Sequence, residues 1–313
     1  MLQFVLRRLL HVLPILLGVT IVTFLMIQLM PGNIADTLIP IGAPASLKEQ
    51  ITKIYGLDRP AWEQYFLWLW QLLHGNLGVS LVSGRPIAGD LLKAIVNTLQ
   101  ITIVSGILGF TLGIVFGSVA ALYKGRWPDR LFSLMSIAGV SVPQYWLAIL
   151  LVTIFAVEFN WLPAQGMGPA GLPLTWTQWR PMIMPVFTLS LIPMGVVGRL
   201  VRASVLEVLS QDFVGALEAK GLLAWPIFRH VAKNAAPPIL ALLGLQFGYL
   251  IGGSVLIETV FNWPGTGKLL NTAIFSHDVP IIQATVLVLS VIFVLVNLLV
   301  DIAQAAVDPR MRR

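Results

Sequence analysis

The sequence contains no cysteine. That excludes disulfides, thiolate metal sites and thiol nucleophiles. Charge is nearly as scarce: Asp, Glu, Lys and Arg make up 11% of the 313 residues, where a soluble domain carries about a quarter. The four histidines, His11, His74, His230 and His277, are far apart, and no His-Glu-x-x-His helix exists, so a zinc site has no donor cluster. No G-x-x-x-x-G-K-[ST] loop is present either. Gly267-Lys268 lacks the upstream glycine and the following Ser or Thr, so this chain does not bind ATP by a P-loop. Gly139-Val-Ser141 has the Gly-x-Ser start of a nucleophile elbow but not its second glycine, and no histidine is expected at the same depth. An intramembrane hydrolase is the weaker reading. No internal repeat at solenoid or propeller periods is evident.

Hydrophobic residues fill the space that charge leaves: they are 57% of the chain, and mean hydropathy is +0.85. Such a chain is solvated by lipid. Its net charge of +6 is first explained by loops on the cytoplasmic side, not by nucleic acid. Residues 9–30 form an uncharged run of 22 behind Arg7 and Arg8. This is too long for a signal-peptide core and has no small-residue cleavage site, so it reads as a retained first span. Further spans are expected at residues 97–123, 131–159, 182–201, 239–260 and 280–306. Six crossings return both termini to the cytoplasm. Thirteen of the twenty Lys and Arg residues then lie on inner segments, and five of the other seven sit in the long first outer loop, where the charge rule is weakest.

The expected organisation is thus all-α. Residues 1–30 hold the N-terminus and first span, 31–95 an extracytoplasmic layer, and 96–313 a five-helix core. In the outer layer Ser46-Leu-Lys-Glu49 is a capping box, with Gly56 as a C-cap. Residues 61–74 are too short to cross, and with three tryptophans, Tyr65 and Phe66 they read as an interfacial helix, with a buried lid over the pore as the alternative. The glycines at 106, 109, 113 and 117 give the second span a face for close helix approach. Pro143 should kink the third.

One internal stretch, residues 210–238, is charged between apolar runs. Ser210 fits an N-cap, Asp212 and Lys220 complement a helix dipole, and Gly221 fits a left-handed C′ position. A second helix can open at Pro226, and Pro237-Pro238 then stop it or start the next element. Phe213, Val214 and Leu217 share one face of the first helix, and Ile227, Phe228 and Val231 one face of the second. Composition alone favours an ordinary cytoplasmic loop that carries its positive charges by the topology rule. Elsewhere, Glu258, Glu158 and Asp301 lie near span ends, where functional and solvated readings both stand. Gln246, Gln283 and Asn297 lie deeper and suit hydrogen bonds between helices.

Taken in order, Leu6-Arg-Arg-Leu-Leu10, Pro31-Gly32, Gly56-Leu-Asp-Arg-Pro60, Gly75-Asn-Leu-Gly78-Val-Ser80 and Gly84-Arg-Pro86 resemble the permease subunits of bacterial peptide and nickel ABC importers. Trp161-Leu-Pro163, Gly244-Leu-Gln246-Phe-Gly248, Phe261-Asn-Trp-Pro-Gly265 and Asp308-Pro-Arg310 extend the resemblance over essentially the whole chain. It implies the type I ABC importer transmembrane fold in the bacterial inner membrane. In that family a cytoplasmic loop, here about 204–237, carries the EAA motif and docks in a cleft of the ATPase subunit. Ala219-Lys220-Gly221, Arg229-His230 and Asn234-Ala235 align with it, and Asp212, Phe213, Gly215, Leu217 and Glu218 belong to the same loop. Gly215 stands where the motif has Glu, Glu218 where close relatives often have Arg, and Lys233-Asn234 where the general motif has Leu-Pro. The resemblance further implies a second homologous permease, two ABC ATPases that bind ATP and Mg, an extracytoplasmic binding protein, and no cofactor on this chain. Pro143, Gln246 and Glu258 are candidates for lining the path. A short peptide is the first expected substrate, a nickel or metal chelate the second. A passive channel is the reading of another class, and it would need no capped helix pair.

Overall fold

Glycine decides how the spans of this protein pack. The computed structural model describes residues 2–28, 58–169, 171 and 173–307. The helix expected between Ser46 and Gly56 lies outside them. The first span is α1 (Leu2–Gln28), the interfacial helix is α2 (Ala61–Leu73), and the second span is α3 (Ile87–Leu122). The last begins ten residues before the expected position 97. On α3 a methyl added at Gly109, Gly113 or Gly117 would lie 2.6, 2.9 or 2.4 Å from the carbonyl oxygens of Ser190, Met194 and Gly198. These belong to the fourth span, α6 (Ile183–Leu209), entered through a turn of helix at Trp176–Trp179 and a tight turn at Arg180–Met182. No side chain fits between the two backbones, which is the close approach that small residues permit in lipid.

The third span departs from expectation. Instead of one kinked helix it is two, α4 (Trp127–Ser141) and α5 (Gln144–Leu151), which meet at 96°. α5 continues as a wide turn of π-helix at Val152–Glu158. Pro143 sits extended at the junction (φ −61°, ψ 125°) and opens α5 as its N-cap. With Val142 also extended, the ladder is interrupted outright and not merely bent. α4 nests against α6 through Gly139 and Gly195, where an added methyl would fall within 3 Å of a facing carbonyl oxygen.

The corner at 210–238 follows as α7 (Asp212–Ala219) and then α8 (Ala224–Val260). α8 runs unbroken through Pro237 and Pro238, so the second corner helix and the fifth span are one rod of 37 residues. Prolines are tolerated in such helices because neighbours re-satisfy the freed carbonyls. A short helix α9 (Thr266–Phe275) and the last span α10 (Val279–Val307) complete the order.

Counting the bent pair as one, the described helices make six passes. Contacts fix their sense. Arg8 Nη1 meets Asp301 Oδ2 at 3.0 Å, which puts the start of α1 and the end of α10 on one side. Arg202 pairs with Asp129, bringing the end of α6 and the start of α4 to that side too. On the opposite side Asp278 accepts from Ser80 Oγ and from the backbone N–H groups of Leu81 (3.2 Å) and Val82 (3.4 Å), and Asn97 Nδ2 donates to the Pro264 carbonyl at 2.8 Å. α2 carries no buried residue and lies against α1. Tyr65 Oη is 2.9 Å from Thr20 Oγ1, and the Phe24 and Tyr65 rings meet edge to face at 5.4 Å. The other face of α2 leaves Trp62, Phe66 and Trp70 exposed, as an interfacial helix should.

Candidate functional site

The corner is closed by backbone geometry. α6 ends at Leu209, and Ser210 belongs to that end: its hydroxyl donates to the Glu207 carbonyl at 2.7 Å. The N-cap of α7 is Gln211, extended and without a side-chain cap bond, so the expected Ser210 cap is not formed. The other end matches its sequence signal. Gly221 has φ +75°, its N–H donates to the Glu218 carbonyl at 2.8 Å, and Leu222 N–H reaches the Leu217 carbonyl at 3.3 Å. This is a Schellman ending, and Leu217 and Leu222 both pack on the same cluster below it. The chain is then extended at Leu223, and α8 opens at Ala224, so Pro226 falls at its third residue.

Burial anchors the corner from beneath. Val214 of α7 and Ile227, Val231 and Ala235 of α8 join Val201, Val205 and Val208 of α6 and Ala121 of α3 in one apolar cluster. Phe213 and Leu217 pack on its edge. Phe228, expected to share a face with Ile227 and Val231, instead stacks on Trp225 with ring centroids 5.8 Å apart. The polar side chains point the other way: Asp212, Glu218, Lys220, Arg229, His230 and Lys233 are exposed, as are Gly215, Ala219, Gly221 and Asn234. Asn234 Nδ2 bonds the His230 carbonyl at 2.9 Å, within its own helix. Sequence reasoning missed two residues of this surface. Leu223 is 78% and Trp225 72% exposed, an apolar pair beside the charges. The available signal was Trp225 standing two residues before Ile227, off the buried face.

Residues 113–313 match the family described as binding-protein-dependent transport system inner membrane component, and residues 1–90 match its N-terminal family. This chain belongs to that family. Over 313 residues it is 37% identical to the glutathione transport system permease protein GsiC of Escherichia coli strain K12, covering 100% of this chain and 99% of the relative. The same protein of Shigella dysenteriae serotype 1 matches equally. In fold it is similar to the MetNI methionine ABC transporter in inward-facing conformations. Two crystal forms give TM-scores of 0.55 and 0.57 at 22% and 18% identity, over 70% of this chain and 96% of that one. A family member of this kind is a multi-pass permease subunit of an ABC importer and not itself a catalyst.

For this permease the other candidates divide. Glu258 does not line a path: it is fully buried. Its carboxylate accepts from Thr98 Oγ1 (2.7 Å) and from the backbone N–H groups of Gly267 (2.7 Å) and Lys268 (3.2 Å). Thr98 Oγ1 also accepts the Thr266 N–H at 2.8 Å. The first N–H groups of α9 are thus capped from two other helices, because its own N-cap, Gly265, has no side chain to offer. This Gly-Lys helix start, where a phosphate loop would place its anion, is filled by the protein's own carboxylate. Gln246 is half-buried, with a buried Oε1 that finds no partner among the described residues. Pro143 is exposed at the break, Glu158 is exposed, and Asp301 pairs with Arg8. Asn297 bonds the Phe293 carbonyl of its own helix at 2.9 Å, not a neighbouring helix.

Proposed function

We propose that the α7–α8 corner is the contact through which partner ATPases drive this permease, and that its cargo is a short peptide. The observation that carries the first part is the form of the corner: a Schellman-closed turn, clamped on α6 and α3 by its apolar face, with its charges and Trp225 turned outward. A push on such a corner moves α6 and the whole rod of α8, which continues into the membrane. A loose loop would absorb the same push. The outward surface lies on the side of both termini, which this reading makes the cytoplasm, in line with the Lys and Arg bias.

The assembly that follows has a second homologous permease, two ATPases that hold ATP and Mg, and an extracytoplasmic binding protein that delivers substrate. The peptide assignment is supported by whole-chain similarity to a glutathione permease, since glutathione is itself peptide-like. The decisive experiment is transport in reconstituted vesicles. Gly221→Val forces a β-branched residue to φ +75°, and Lys220→Glu with Arg229→Glu inverts the exposed charge. Both should insert normally yet lose ATP-driven uptake of labelled short peptides. Uptake at the unmodified rate in both would refute the coupling role, and lack of uptake of any short peptide by the unmodified transporter would refute the cargo.

A further inference from the structure

Where α1, α8 and α10 meet, Gly248 lets the last span come so close that a methyl there would fall 2.1 Å from the Phe293 ring. Phe293 lines a cleft of about 300 Å³, with Ile15 and Leu298 among its other apolar residues. At one end the walls become polar, with Arg8, His11 and Asp301. Arg8 and Asp301 form an ion pair on the wall of the cleft, with side chains 42% and 24% exposed.

Depth identifies what faces this opening. The apolar part of α10, Val279–Ala305, is 27 residues, about 40 Å at 1.5 Å per residue. The hydrocarbon layer is about 30 Å, so the end turns of the helix must stand among lipid headgroups. Asp301 lies six residues before the helix end, at that boundary. An ordinary apolar crevice on a spanning helix takes any acyl chain. This one adds a cation and an anion side by side at headgroup level.

We propose that the cleft is a binding site for one phospholipid with an aminoethyl headgroup, in the leaflet on the side of the chain termini. Its phosphate lies by Arg8 and His11, its primary ammonium donates to Asp301, and one acyl chain follows the trough past Ile15 and Leu298 over Phe293. A trimethylated headgroup carries the same charges but no N–H to give Asp301, and a glycerol headgroup carries no cation. The site therefore distinguishes phosphatidylethanolamine from phosphatidylcholine and phosphatidylglycerol by one charge-assisted hydrogen bond, worth about tenfold in occupancy.

The test is native mass spectrometry of the transporter, purified with its co-purifying subunits and exchanged into mixed micelles of the three lipids at equal concentration. One retained phosphatidylethanolamine per permease, about tenfold over the other two, is expected. Asp301→Asn should abolish the preference for phosphatidylethanolamine over phosphatidylcholine. Ile15→Trp, which fills the trough and leaves the ion pair intact, should remove the lipid altogether and decides the matter if the Asp301 variant does not assemble. Equal retention of phosphatidylethanolamine and phosphatidylcholine, no retained lipid because another subunit covers the cleft, or undiminished retention in Ile15→Trp would each overturn the proposal.

Discussion

Arg202 of the fourth span grips Asp129 of the third at two points, Nε to Oδ1 at 2.7 Å and Nη2 to Oδ2 at 2.9 Å. The carboxylate is buried and takes two more hydrogen bonds, from Gly125 N–H at 2.9 Å and Ser133 Oγ at 3.2 Å. Arg202 stands one turn before Val205, which packs under the corner, and Asp129 opens the helix that runs to the break at Pro143. The pair therefore joins the base of the corner to the broken span. Asp129→Ala should destabilise the permease by about 3 kcal/mol, the low end for breaking a buried pair, because Arg202 is a third exposed. Thermal unfolding in detergent checks this. Exchanging the residues, Asp129→Arg with Arg202→Asp, should recover part of the loss if the pairing itself matters.

The α3–α6 contact makes a second, sharper prediction. At Gly117 an added methyl would sit 2.4 Å from a carbonyl oxygen and 2.7 Å from Val201 Cβ, both fixed in the helix core. Gly117→Ala should cost about 1–3 kcal/mol through forced separation of the helices. Gly89→Ala on the same helix has open space around it and should cost nothing measurable. Equal unfolding temperatures for the two variants would contradict the close contact.

Glu258 is predicted to be structural. Glu258→Ala leaves Thr98 and two backbone N–H groups of α9 without their acceptor and opens a cavity, a loss of about 3 kcal/mol or more. Glu258→Gln keeps an acceptor oxygen for the helix end and should be milder. Limited proteolysis of the segment around α9 would show the first variant cut faster and the second close to the unmodified protein.

Trp225 tests the outward face of the corner without touching its core. Trp225→Ala should leave thermal stability within about 0.5 kcal/mol, as surface substitutions do. It should still weaken co-purification of the ATPase subunits, because exposed aromatics dominate contact energies once buried by a partner. A stable variant that retains its ATPase partners fully would remove Trp225 from the contact.

Much of this architecture was legible in the chain. Long uncharged runs can only be satisfied as helices in lipid, so the spans followed from composition and length. The glycine spacing on α3 announced a packing face, and Gly221 announced the end of α7, because both signals are local: a missing Cβ permits a close contact or a left-handed turn wherever it stands. The order of short motifs was enough to recognise the family.

Other features depended on residues far apart in sequence. Pro143 broke its span where a bend was expected, while Pro237 and Pro238 did not stop α8, and propensity alone ranks all three alike. Ser210 is a good N-cap in isolation, yet α6 used it as its own C-cap. Glu258, 160 residues from Thr98, became the cap of a helix whose own N-cap is glycine. The sequence by itself determined a six-pass helical membrane protein with a charged corner, because lipid solvation and local backbone preference act on every window of the chain. Only the tertiary structure decided which charges are spent inside, at Asp129 and Glu258, and which are left outward on the corner. A carboxylate's partners lie on neighbouring helices, and no local rule reaches across them.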